Sequence, residues 1–187
     1  EPGKNFTLLL YPSLNHYDGR GANRPWMQEL PDPMTMNVWD TWIEIHPQDA
    51  AVAGIKTGDA VQVSSPYARF DLPAHVSTTV KPGVVAIPIG QGHTSFGRYA
   101  DNVGKNPIDL LDPKPSEKTG GLEWVGITVE ILKKSERLAL VSVSGSDVQH
   151  DRGIVQSVSL AELVEPHTTK PAVEHTEEAI SMYADHE

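Results

Sequence analysis

The chain has no cysteine. That absence excludes disulfides, thiolate metal sites and cysteine nucleophiles within it, and gives no sign of redox compartment. No apolar run approaches the ~18 residues that a membrane span needs. Basic residues are scarce too: 15 Lys and Arg stand against 25 Asp and Glu, a formal charge of −10. A basic face for nucleic acid or an anionic membrane surface is therefore not expected, and no nucleic-acid partner is assigned. An anionic ligand can still be held by backbone N–H groups, which carry no formal charge.

What is present points to turns and short elements. Fifteen prolines and fifteen glycines in 187 residues favour β-rich structure over a helix bundle, and 39% hydrophobic residues suffice for one core of moderate size. The chain begins at Glu1 with neither methionine nor a signal-like segment, so it reads as a piece of something longer.

"NFTLLLYP" (5–12) reads as a buried strand stopped by Pro12, followed by a polar stretch at 13–33 in which "NRPWMQEL" (23–30) gives a helical turn or two. Asn23 is the expected N-cap, with Pro25 early in the first turn and Trp26 packing the short helix. "DTWIEIHP" (40–47) is a second strand. Pro47 then opens a short helix that Gly54 closes, and a turn through "KTGD" delivers the strand "AVQVSS" (60–65). "RFDLPAHVSTT" (69–79), "VVAIPI" (84–89), "WVGITVEILKK" (124–134) and "LALVSVS" (138–144) complete the expected strands. Asp49 and Asp59 fall at capping or turn positions, and Trp39, Trp42 and Trp124 belong to the core or to an interface. No long amphipathic helix is available to cover a sheet face, so a closed barrel is expected rather than a doubly wound sheet. Beyond Val164, six acidic residues accompany the single Lys170, with few apolar residues. Such a segment buries too little surface to offset its ordering entropy, and it is expected to act as a linker or docking tail.

The stretch after Ile89 is the most unusual. "GQGHTSFGRYADNVGKNP" (90–107) carries several glycines, His93, Arg98 and two asparagines without a hydrophobic period. Ordered loops longer than about 12 residues inside compact domains are mostly functional. A second glycine-punctuated loop, "NHYDGRGANRP" (15–25), precedes it. Glycine lets main chain approach a ligand closely and supplies positive-φ nests whose N–H groups point at an anion. Gly19, Arg20, Gly21 and Asn23 have this character in the first loop, and Gln91, Gly92, His93, Arg98 and Asn106 in the second. The plain alternatives are a solvated turn, a surface histidine, a solvated arginine and an Asn-Pro turn opener.

Three stretches in this order resemble the C-terminal molybdopterin-dinucleotide-binding domain of the dimethyl sulfoxide reductase family: "NHYDGRGANRPWMQELPDP" (15–33), "WIEIHPQDAAVAGIKTGDAVQVSS" (42–65) and "VKPGVVAIPIGQGHTSFGRYADNVGKNPIDLL" (80–111). The wording of the third, with "SGSDVQHDRGIVQSVSL" (144–160), is most similar to the polysulfide-reductase-like branch, which includes the large subunit of alternative complex III. The resemblance implies an all-β-dominated fold, a six-stranded double-psi β-barrel at 5–132, followed by an extension at 133–164 and the acidic tail at 165–187. It implies molybdopterin guanine dinucleotide in the bis form as cofactor, with molybdenum held by another domain and no metal ligand or catalytic residue in this chain. The nine loop residues named above would then bind the cofactor. The implied partners are the remaining domains of the molybdoenzyme subunit, an iron–sulfur ferredoxin-like domain or subunit and, indirectly, a membrane anchor, on the periplasmic side of a bacterial membrane.

The competing reading within this fold is a scaffold that has lost the cofactor inside an electron-transfer complex. An adaptor domain of an AAA-type ATPase shares the "GD-x-V" turn but has no use for the long loop. The self-processing decarboxylase of this fold needs a Gly-Ser site within the barrel, whereas Gly145-Ser146 follows it.

Overall fold

The computed structural model describes residues 4–143. The acidic tail expected at 165–187, most of the extension expected at 133–164 and "SGSDVQHDRGIVQSVSL" lie outside the described residues.

The chain order is β1 (Lys4–Pro12), α1 (Pro25–Glu29), β2 (Asn37–Val38), β3 (Ile43–Ile45), α2 (Pro47–Ala53), β4 (Asp59–Ser64), β5 (Arg69–Val76), β6 (Val84–Ile89), a 3-10 turn (Pro107–Leu110), β7 (Val125–Arg137) and β8 (Val141–Ser142). Six strands close into a barrel in the order β1-β6-β3-β5-β4-β7. The pairs β1/β6 and β3/β5 are parallel, and the remaining four are antiparallel. Exchanging the first three barrel strands with the last three returns the same circular order and the same strand directions. This internal two-fold with two parallel crossings is the double-psi arrangement. Closure also leaves the barrel strands without a free edge.

The inward positions follow the two-residue period of a strand. Phe6, Leu8 and Leu10 of β1 point into the core, with Ile43 and Ile45 of β3, Val61 and Val63 of β4, Leu72 and Ala74 of β5, Val85 and Ile87 of β6, and Val129 and Ile131 of β7. Strand β6 lies between β1 and β3, and its residues from Val85 on are buried, which accounts for its unbroken apolar run.

Helix α2 forms as its terminal residues require. The His46 side chain accepts from the Gln48 N–H, Pro47 occupies the first turn and Gly54 closes the helix at φ +64. The Asp49 carboxylate receives the Gly83 N–H at 2.6 Å, tying this helix to the turn that opens β6.

Three local expectations change. Arg24, not Asn23, occupies the N-cap of α1 and makes no side-chain cap bond. Asn23 instead accepts from the Tyr99 N–H at 3.1 Å, so its side chain ties two loops together. Trp26 is 65% exposed and does not pack its helix. The last expected strand contracts to β8, two residues paired with β2.

Candidate functional site

The parallel pairing of β1 with β6 decides where the site lies. The two strands run in register to their C-terminal ends, where Pro12 pairs with Ile89. The glycine-rich loops at 13–24 and 90–106 therefore leave the same end of the barrel side by side. Strand β3 runs antiparallel to β6, so residues 39–42, which enter β3, arrive at that end as well. The Thr41 hydroxyl fastens them there: its Oγ1 donates to the Lys105 carbonyl at 2.9 Å and accepts the Lys105 N–H at 3.1 Å.

The first loop is compact. Gly19, at φ +98, lies so near the second loop that an added Cβ would stand 2.7 Å from Nε2 of His93. Gly21 is buried as well. Arg20 turns outward: its guanidinium forms two bonds with the Asp18 carboxylate, at 2.9 and 2.7 Å, and it lies over the Tyr17 ring. The pairing holds the Asp18 carboxyl down at about 2, through Arg20's side-chain and backbone hydrogen bonds. The Arg20 side chain remains 75% exposed and can be reached from solvent.

The second loop closes on the first at several points. A Cβ on Gly97 would stand 2.1 Å from the Asn23 amide nitrogen, and one on Gly92 2.1 Å from the backbone nitrogen of Asn106. The Asp101 carboxylate accepts the N–H groups of Phe96 and Gly97 at 2.6 and 3.2 Å, fixing the bend. His93 stacks on Phe96 with ring centroids 4.7 Å apart, and its buried Nε2 has no hydrogen-bond partner among the described residues. Arg98 lies over the Tyr99 ring and is exposed. Asn106 caps the 3-10 turn, accepting from the Ile108 N–H and donating to Asp109. Gly92, His93, Asn102, Lys105 and Asn106 line an open pocket of about 200 Å³.

Gln91 faces the other way. Its amide and that of Gln28 bind each other reciprocally at 2.6 and 3.0 Å, and Gln28 also donates to the Ala22 carbonyl. The Gln91 NH₂ group lies 3.2 Å from His16 Nε2. An amide NH₂ can only donate, so His16 accepts through Nε2 and, when neutral, carries its proton on Nδ1. Burial, reinforced by the nearby His93, pushes the His16 pKa below 6.5, which keeps the ring neutral at pH 7.

The structure thus brings Gly19, Gly21, Asn23, Gly92, His93 and Asn106 together where the loops meet. Gln91 is buried beneath them, and Arg20 and Arg98 stand at the surface. Sequence reasoning did not single out His16, Asn37, Asp40 or Lys105. Asn37 is 1% exposed, and neither its side-chain nitrogen nor its oxygen has a partner among the described residues. Asp40 receives the Thr41 N–H at 2.7 Å, and burial raises its carboxyl pKa above the ordinary range. Among the described residues no group of three His, Cys, Asp or Glu side chains is placed to hold a metal ion, and no helix is long and apolar enough to cross a membrane. Glycine main chain, amides and imidazole are thus gathered at one barrel end.

Comparison with known proteins bears on the family of the chain. Residues 7–122 match the family model described as "Molydopterin dinucleotide binding domain". Among curated proteins, the molybdopterin-containing subunit ArrA of the arsenate respiratory reductase from Shewanella sp. (strain ANA-3) is 37% identical over 98 residues, covering 51% of this chain and 12% of the relative. The periplasmic nitrate reductase of Desulfovibrio desulfuricans is 45% identical over 76 residues, covering 41% of this chain and 9% of the relative. Among solved structures, acetylene hydratase from Pelobacter acetylenicus superposes with a TM-score of 0.54 at 14% identity, over 69% of this chain and 18% of that one. The last likeness concerns the fold alone. The chain corresponds to a small part of each of these proteins.

Proposed function

Because this chain belongs to the molybdopterin dinucleotide-binding domain family, we propose that it clamps a pterin–guanine dinucleotide for a molybdenum oxidoreductase in respiratory electron transfer. The two glycine loops approach the pyrophosphate with main-chain N–H groups, and Arg20 and Arg98 supply mobile positive charge beside it. Asn23, Gln91, His93 and Asn106 position the heterocycles, Gln91 from beneath through His16. The cofactor is the bis form, which when bound supplies the redox chemistry at a molybdenum held by another domain. This chain's own work is to bind, orient and exclude water.

The observation that carries the proposal is the contact between Gly19 and His93. A glycine at positive φ permits the approach, and the imidazole Nε2 there is buried and without a partner among the described residues. A buried polar atom without a partner costs about 1–3 kcal/mol, so a ligand atom that satisfies it gains correspondingly. The barrel runs on through β7 to Arg137, past the boundary expected at 132, and on this reading 165–187 is a linker or docking tail. The subunit belongs to the polysulfide-reductase-like branch, works on the periplasmic side and passes electrons through an iron–sulfur partner to a membrane anchor. The relatives named as a respiratory arsenate reductase and a periplasmic nitrate reductase support that setting.

The test is the pterin and molybdenum content of the complete subunit carrying Arg20→Ala or Arg98→Ala, set against the exposed Lys118→Ala. The two arginine variants are expected to retain less cofactor, with affinity roughly tenfold or more lower. Equal retention in all three would contradict these assignments.

A further inference from the structure

On the outer wall of the barrel, a hollow of about 260 Å³ opens over β1, β6 and β3. Its floor is made by positions that alternate with the core. Leu8, Leu10, Ile43, Ile45, Val85 and Ile87 point inward, so Leu9, Glu44 and Ala86 between them face out. The pairings Leu9↔Ala86 and Glu44↔Ala86 set these three in one row, and the small central alanine leaves a depression. Within this largely apolar lining are two acids, Glu44 and Asp32, each 5% exposed. Glu44 accepts from the Tyr11 hydroxyl at one oxygen and from Thr79 Oγ1 at the other. Asp32 takes the Met34 and Thr35 N–H groups and the Thr35 hydroxyl on Oδ2. Among the described residues the ion pairs fall to Asp18 and Asp59, and neither Glu44 nor Asp32 meets a lysine or arginine. A buried charge with no opposite charge beside it is costly, so the hollow favours a cation. Two more residues of the lining, Leu14 and Met34, are 73% and 72% exposed and set apolar side chains around the buried acids.

We infer that this hollow receives an arginine flanked by apolar side chains, contributed by the rest of the complete subunit. A guanidinium suits the place better than an ammonium, because it is more weakly hydrated and its forked donors can serve carboxylates on two sides. Its aliphatic stem lies along Leu9 and Ala86, and its apolar neighbours cover Leu14 and Met34. This chain covers only 12% and 9% of the two curated relatives, so a protein of their length has ample polypeptide to supply such a segment. A second copy of the chain is a poorer occupant, since it carries the same formal charge of −10. The inference concerns the barrel wall and stands whether or not a cofactor occupies the loops.

Titration of the full chain with the capped tripeptide leucine-arginine-leucine, followed by NMR, tests it. The control is the same peptide carrying citrulline, which keeps the shape and loses the charge. The arginine peptide is expected to bind saturably, at least tenfold more tightly than the control, and to shift the signals of Leu9, Glu44 and Ala86. Glu44→Gln, close in shape, should abolish that preference. Met34→Ser, at an exposed position, should weaken binding of both peptides and serves if the Glu44 variant does not fold. Equal binding of the two peptides, no binding of either, an unchanged preference in Glu44→Gln or unchanged binding in Met34→Ser overturns the inference. Sedimentation of the wild-type chain addresses the second copy: a dimer that Glu44→Gln dissolves would assign the hollow to self-association instead. In the complete subunit, Glu44→Gln is expected to speed amide exchange at Met34 and Thr79 at least tenfold beyond any change in the full chain alone. An equal change in both would rule out the rest of the subunit as the source of the arginine.

Discussion

Gly19 and His93 come from loops 74 positions apart, yet a methyl group added to the first would stand 2.7 Å from Nε2 of the second. The parallel pairing of β1 with β6 produces this contact, because it releases both loops at one end of the barrel. A graded set of glycine substitutions follows. Gly83, at φ +81 with nothing among the described residues within 4 Å of an added Cβ, bears only backbone strain, and Gly83→Ala is expected to cost about 1 kcal/mol. Gly19→Ala adds a clash with a side chain that can shift. Gly92→Ala drives a methyl to 2.1 Å from the Asn106 backbone nitrogen and is expected to cost about 3 kcal/mol or more. Urea unfolding of the three variants should rank them in that order.

Glu44 sits on the barrel wall rather than at the loops. It is 5% exposed, yet receives hydrogen bonds from the Tyr11 hydroxyl and, at 2.6 Å, from Thr79 Oγ1. Tyr11→Phe removes one donor from a buried carboxylate and is expected to destabilise the fold by about 1–3 kcal/mol. Urea unfolding at pH 7 measures it, and a loss below the error of the method would show that Glu44 finds another donor.

Stability should fall toward both ends of the pH scale for different reasons. The folded His16 has its pKa pushed below 6.5 by burial, so the unfolded chain binds the proton more readily. Its contribution is full above 6.5 and is lost as pH falls from there through the folded pKa. Tyr11 is the opposite case. Burial and then the Glu44 charge raise its pKa above 10.0, so stability is lost as pH rises past that value and the unfolded chain ionises. In urea midpoints, His16→Gln should flatten the acidic limb between about pH 7 and 5, and Tyr11→Phe the alkaline limb above 10.0.

Much of the barrel was legible in the sequence because its elements obey local rules. Pro47 and Gly54 bracket α2, Pro12 ends β1, and the uniform apolar run of β6 reflects a strand with neighbours on both sides. The closed barrel followed from short strands with no long helix to cover a sheet. The burial of Asn37 and His16 was not legible. Asn37 lies in β2, which pairs with β8 over two residues and is flanked by positive φ at Met36 and Trp39, neither of them glycine. Two-residue strands carry no periodicity, and a lone Asn37 or His16 has no pattern that foretells burial. Asn23 shows the same limit: a good N-cap residue was taken up by a tertiary contact with Tyr99, which no local rule contains. The outward positions of Trp26 and Leu14 are likewise set by the three-dimensional course of the loops.

The central claim is that this barrel end holds a pterin dinucleotide. The most direct measurement is oxidative release of the fluorescent pterin product, together with metal analysis, from the complete wild-type subunit purified under cofactor-replete expression. The account predicts pterin and molybdenum in stoichiometric amounts with the protein. Folded subunit carrying neither would contradict it and leave the barrel as a scaffold.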